Sequence, residues 1–291
     1  MRSQGVPRVP FATEYAFAKI LAASYRGMLR GLVGELAEAA QAAGFHVKQS
    51  EGSTVAVADA DPFAVLRQAI RALAGRGVDA EALRVRLRAQ MRSAESDFLT
   101  RLLSDADPRL VKVFLQMSVP AKQAFGARID GLRELYLDQA QERIEGEQDD
   151  LKKAFLRRLS DWAEGKAERL DVSGLVREME ATSARRAKFF ARDQFSRFNR
   201  ALLVETYRQA EAPYVEWLTV GDSRVRPVPG AKLPGGSYHG LALGDHRVRN
   251  HKIYTIAGLL ADPEYKSYND RCGYRPVWGP LTADQQRRFV A

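Results

Sequence analysis

From Ala121 to Arg169 the apolar residues Phe125, Ile129, Leu132, Tyr136, Ile144, Leu151, Phe155, Leu159 and Trp162 recur mostly at spacings of three, four or seven. That period is one face of an amphipathic helix, because residues three and four apart share a side of the helix cylinder. The segments around it read the same way. "FAKILAASYRGMLRGLVGELAEAAQAAG" within 11–44 is rich in alanine and leucine and closes on Gly44 as a C-cap. Asp61-Pro62 opens a helix, since proline is tolerated in a first turn. Another helix runs through "DAEALRVRLRAQMRSAESDFLTRLL", and "SDADPRLVKVFLQMSVP" reads as turn, short helix, turn. After residue 170, "DVSGLVREME" restarts a helix with Ser173 as its N-cap, running to about Ala210. Its apolar positions are Phe189, Phe190, Phe195, Phe198, Leu202 and Leu203, whose helical spacing marks core rather than a base-stacking platform.

At Pro213 the pattern changes. "YVEWLTV" is β-branched and aromatic, the composition of a strand, and "KIYTI" and "GYRPVW" read as further short strands between glycine- and proline-rich stretches. The expected fold class is α+β. A predominantly helical N-terminal region (1–120) and a long-helix region (121–210) lead into a small α+β C-terminal unit (211–291).

The chain has 291 residues, 45% of them hydrophobic, enough to bury a real core. No run reaches the ~18 apolar residues of a membrane span, so no membrane partner is expected. Nor does the start of the sequence have the uninterrupted apolar stretch of a secretion signal. The lone Cys272 excludes an intrachain disulfide and fits a reducing cytoplasm. The net charge is +9, and it is uneven: residues 101–150 carry seven Lys/Arg against ten Asp/Glu, residues 151–200 thirteen against seven. Lys152, Lys153, Arg157 and Arg158, followed by Arg185, Arg186 and Lys188, are candidate contacts to DNA or to an acidic protein surface. A solvated helix face is the plainer account of the same residues.

Two constellations are candidates for chemistry. His239, His246 and His251, with Cys272 downstream, are residue types that ligate zinc, and with Asp245 they suggest a metal-dependent nuclease. Their spacings of seven and five fit no standard ligand pair, so no metal and no cofactor is expected. In "VEWLTVGDSRVRPVPG", Arg224 and Arg226 point to one side if the backbone is extended. One reading is a phosphate or carboxylate clamp. The other, which local charge pairing favours, is an ion-pair staple with Asp222 at the end of the Trp217 strand.

"FFARDQFSRFNRALLVETYRQA", "YVEWLTVGDSRVRPVPGAKLPG" and "YNDRCGYRPV" occur in this order, and together the chain resembles the Mu F-like phage head morphogenesis (minor capsid, or minor head) family over about residues 185–280. The matching positions are Ala191, Arg192, Asp193, Gln194 and Asn199 on the helix, then Tyr214, Trp217, Thr219, Asp222, Arg224, Val225, Arg226 and Pro227, then Arg271, Cys272 and Pro276. Two positions depart: the family's histidine falls on Pro229 and the first cysteine of its C-R-C falls on Asp270. The resemblance implies a structural, non-catalytic protein of a tailed phage or prophage that acts in procapsid assembly. It implies the portal protein and a major capsid or scaffolding protein as partners, with non-specific double-stranded DNA as a further contact. The implied location is the capsid interior near the portal, reached from the host cytoplasm during assembly. The alternative is the metal-dependent nuclease on the histidine cluster.

Overall fold

A computed structural model describes residues 11–42, 46–50, 53–57, 80–105, 107–164, 166, 171–219, 249–262, 265 and 272–290. The elements are α1 (Phe11–Ala42), β1 (His46–Ser50), β2 (Ser53–Val57), α2 (Ala80–Asp105), α3 (Pro108–Gln116), α4 (Val119–Ala163), α5 (Val172–Gln209), β3 (Tyr214–Leu218), β4 (Ile253–Thr255), α6 (Ile256–Ala261), β5 (Gly273–Val277) and α7 (Ala283–Arg288). The fold is α+β: mostly helical, with a small three-stranded antiparallel sheet in the last part of the chain.

The helix boundaries follow local chemistry. Asp107 caps α3 by accepting the Arg109 N–H at 2.8 Å, and Pro108 occupies the first helical position, where no donor is needed. Ser118 lies just before α4, its carbonyl accepting from Lys122 at 3.0 Å, with Pro120 inside the first turn. The cap of α5 is Asp171, not Ser173: the Asp171 carboxylate accepts the Gly174 N–H at 2.8 Å. A side chain at position 174 would collide with that carboxylate, so the glycine belongs to the cap. At its other end α5 closes in a Schellman motif. Ala212 N–H reaches the Tyr207 carbonyl and Glu211 N–H the Arg208 carbonyl, with Glu211 at φ 55 where glycine is usual.

Two compact units interleave along the chain. The second comprises Glu14–Gln90 and Leu137–Ala191, and its core is a helical bundle. Phe17, Leu21, Tyr25, Leu29, Leu32 and Leu36 of α1, Leu137, Ala140, Ile144, Leu151, Phe155 and Leu159 of α4, and Met179, Ala187 and Phe190 of α5 are buried. Phe17 meets Phe190 at 6.2 Å and Arg26 pairs with Glu180, so α1 runs antiparallel to this part of α5. Gln148 donates to the Ser24 hydroxyl at 3.0 Å, a polar contact inside the bundle that fixes the register of α1 on α4. Phe189 does not join the core; it is exposed because Ala187 and Phe190 already set the buried stripe. The β1–β2 hairpin, antiparallel with Ser50 opposite Ser53, lies within the N-terminal region whose expected structure is predominantly helical. "HVKQS" and "STVAV" are β-rich strings on either side of Glu51-Gly52, a period-two signal set among stronger helical ones. The helix expected after Asp61-Pro62 and the C-cap at Gly44 lie outside the described residues.

The first unit comprises Met1–Thr13, Met91–Tyr136 and Arg192–Ala291. Here the sheet has the order β4-β3-β5, both pairs antiparallel. Central β3 is buried on both sides at Val215, Glu216 and Trp217. The sheet is tied to the helices at two points: the Tyr207 hydroxyl of α5 donates to the Tyr274 carbonyl at 2.9 Å, and Trp278 Nε1 donates to Asp107 at 2.8 Å. Asp107 thus serves one oxygen to the α3 cap and the other to the sheet unit.

Candidate functional site

The densest chemistry among the described residues lies on the two faces of β3. Strand alternation sends Val215 and Trp217 to one face and Glu216 to the other. On the first face Trp217 is opposite Tyr274, with ring centroids 5.2 Å apart and nearly perpendicular. Tyr254, opposite Val215, lies 6.1 Å from Trp217, and Tyr265 lies 5.9 Å from Tyr274. Over the Trp217 ring, 5.8 Å from its centre, sits the guanidinium of Arg249. That side chain is 1% exposed and forks onto Asp262, Nε to Oδ2 and Nη2 to Oδ1, both at 3.1 Å. Asp262 sits at the C-cap of α6, and the Tyr254 hydroxyl donates to it at 3.4 Å.

On the second face Glu216 is a buried carboxylate with three donors. Arg275, its register partner on β5, donates from Nε at 3.1 Å and also from Nη2. His251 Nδ1 lies 2.8 Å from Oε1, and Arg288 Nη1 donates to the same oxygen at 2.9 Å. His251 stands at φ 63, a left-handed conformation held by its N–H to the Trp217 carbonyl at 2.7 Å and by the Lys252 N–H to the Arg249 carbonyl at 2.9 Å. Burial by itself would raise the Glu216 carboxyl. The hydrogen bonds from Arg275, His251 and Arg288 outweigh it and hold the group below the ordinary glutamate range.

A pH dependence follows. Because the folded-state carboxyl is depressed, its contribution to stability is complete above the unfolded value of about 4.3 and is lost as pH falls through the lower folded value. Acid titration of the wild type should therefore show stability falling below about pH 4.3, and Glu216→Gln should flatten that part of the curve. Denaturant midpoints measured at several acid pH values check this. Superimposable curves would mean that Glu216 does not couple to folding.

The residues of the family resemblance divide in two. Asp193, Gln194, Asn199, Trp217 and Cys272 are buried, and Arg192 is exposed. Gln194 donates Nε2 to the Tyr136 carbonyl at 2.7 Å, tying α5 to α4 within this unit. Asn199 Oδ1 has no donor among the described residues. Asp222, Arg224, Arg226, Pro227 and Arg271 lie outside the described residues, so the staple expected from Asp222 does too. An arginine–aspartate staple does stand beside Trp217, built from Arg249 and Asp262. Of the histidines, His251 is engaged with Glu216, while His239 and His246 lie outside the described residues. Among the described residues no group of three or more His, Cys, Asp or Glu gathers as metal ligands.

The basic residues of 151–188 belong to the helical unit. Lys153, Arg157, Arg158, Arg185, Arg186 and Lys188 are exposed, and Arg186 pairs with Glu147 at 2.9 Å. Lys152 departs from the expected surface cluster. It is 7% exposed, because it falls four residues after Gln148 and three before Phe155, on the buried stripe of α4.

Glu216, Arg249, Asp262, Arg275 and Arg288 were not singled out by the sequence. Each has its partner 13 to 72 residues away, at no spacing that a helix or strand period would flag. An acidic residue centred in the apolar run "YVEWL" was the one available signal, since a charge at the middle of a buried strand requires a partner. Comparison with known proteins finds no match to any family model, curated protein or solved structure.

Proposed function

We propose that the chain is a structural minor head protein of a tailed phage, acting in procapsid assembly on the portal and on capsid or scaffolding proteins, without catalysis. One observation carries most weight. Motif residues from separate parts of the sequence, Asp193, Gln194, Asn199, Trp217 and Cys272, are buried side chains of one compact unit. Residues that hold a domain together fit a fold signature better than a reaction centre, which needs reacting groups open to a substrate. The long helices of the other unit offer extended exposed faces for docking on an oligomer. The reading is tested by pull-down with a tailed-phage portal protein, where co-purification is expected. Failure to bind portal, capsid or scaffolding protein, together with stoichiometric transition metal and DNA cleavage abolished by His246→Ala, would replace it with the nuclease reading.

A DNA contact is part of the same proposal and has its own test. With Lys152 buried, Lys153, Arg157, Arg158, Arg185 and Lys188 remain to meet phosphates. Each phosphate contact releases counterions, so log affinity should fall with log salt by about 0.9 per contact. About four contacts give a slope near −3 to −4, with no preference for sequence because no base-reading element is present among the described residues. Arg157→Ala with Arg158→Ala should reduce the slope by about two. Absence of binding at low salt would assign the basic face to an acidic protein partner.

A further inference from the structure

The outer edge of β4 is occupied. β4 ends the sheet order β4-β3-β5, and Ile253 forms an isolated parallel bridge with Phe289. The Val290 N–H donates to the Ile253 carbonyl at 2.8 Å. The Phe289 ring meets Tyr214 edge-on at 5.7 Å, and Arg288 Nη1 reaches both Glu216 Oε1 at 2.9 Å and the His251 carbonyl at 3.1 Å. Three consecutive residues thus make these attachments. Little of the segment is buried: α7 has no buried residue, and Phe289 and Val290 are 40% and 42% exposed. The two-turn α7 is stabilised within itself, by a capping box between Thr282 and Gln285. The approach to it passes Gly279 at φ 77, a backbone position that glycine adopts without strain.

We propose that the β4 edge is a strand-acceptor site, and that the Thr282–Val290 segment of a second copy of this chain occupies it in place of the chain's own. An edge strand accepts any extended backbone, and side-chain positions beside it then select the sequence. Here Glu216 selects an arginine and Tyr214 an aromatic ring immediately after it. A second copy carries that Arg-Phe-Val order by identity. Exchange between copies conserves every attachment, since none depends on burial of α7. The intramolecular arrangement is favoured by effective concentration rather than by extra contacts, so it gives way as protein concentration rises.

The test uses the full chain carrying Arg288→Ala, Phe289→Ala and Val290→Ala, which empties the edge. A fluorescent peptide of residues 281–291 should bind this variant saturably. It should bind the wild type at least about tenfold more weakly, because the resident segment competes at high effective concentration. A peptide with Arg288→Ala and Phe289→Ala should not bind. Sedimentation of the wild type over a concentration series should show a monomer–dimer equilibrium that the triple variant lacks. If the triple variant loses helical circular dichroism, Arg288→Ala with Phe289→Ala, the pair of changes that abolishes binding of the peptide, replaces it. Failure of the peptide to bind a folded variant overturns the acceptor site. Peptide binding with a wild type that stays monomeric overturns the second copy as occupant.

Discussion

Trp217→Ala is expected to destabilise the sheet unit by about 3–5 kcal/mol, the range for removing a fully buried large aromatic. Trp217 is 0% exposed and touches both neighbouring strands through Tyr254 and Tyr274. It also forms the floor beneath the Arg249 guanidinium. Truncation would remove dispersion contacts on three sides and leave a cavity, which backbone hydrogen bonds on both edges of β3 prevent from collapsing. For a domain whose whole stability is typically 5–15 kcal/mol, that is enough to populate the unfolded unit. Guanidinium melts followed by hydrogen exchange at β3 amides give the value. Trp217→Phe should cost clearly less, because a ring remains against Tyr274. A loss under about 1 kcal/mol for the alanine variant would mean that the sheet is not organised around this side chain.

Much of this fold was legible in the sequence, and the reason is periodicity. The stripe from Phe125 to Trp162 is long, so chance matches average out, and α4 covers it. Strand compositions at "YVEWL", "KIYTI" and "GYRPV" correspond to β3, β4 and β5. The β1–β2 hairpin was not read because each of its strands is five residues long, too short for a period of two to compete with helical segments on either side. Two adjacent phenylalanines, Phe189 and Phe190, both fit a broad apolar arc, yet only Phe190 lies on the buried side. Asp171 lost to Ser173 as a cap because both are good capping residues two positions apart. The collision that makes Gly174 part of the cap is visible only in three dimensions.

The site was less legible, for a physical reason. Helical neighbours reveal themselves at spacings of three and four, but partners across a sheet have no fixed separation. Glu216 meets Arg275 through strand register, His251 through a left-handed turn, and Arg288 from a segment laid over the β4 edge. The two arginine–carboxylate centres on β3 also differ in kind. Arg275 is 56% exposed, so solvent screens its pair with Glu216 and truncating it is expected to matter modestly. Arg249 is 1% exposed and its carboxylate 7%, so screening cannot soften a loss there.

That contrast sets the last expected result. Asp262→Ala should cost about 3–5 kcal/mol, as for removing one partner of a buried ion pair. It takes away the bidentate acceptor of Arg249 and an acceptor of the Tyr254 hydroxyl. The guanidinium would remain packed on Trp217 with its bidentate contact to Asp262 gone. Asp262→Asn keeps the shape but not the charge, and should recover only part of the loss. The double variant Arg249→Met with Asp262→Leu should be more stable than Asp262→Ala alone, because removing both charges removes the desolvation penalty that the single change exposes. The coupling between the two positions, read from melts of the wild type, Arg249→Met, Asp262→Leu and the double variant, should then be between about 1 and 3 kcal/mol. Strictly additive losses would show that Arg249 is neutralised by another group, and that the Asp262 fork is a consequence of the fold around Trp217 rather than one of its causes.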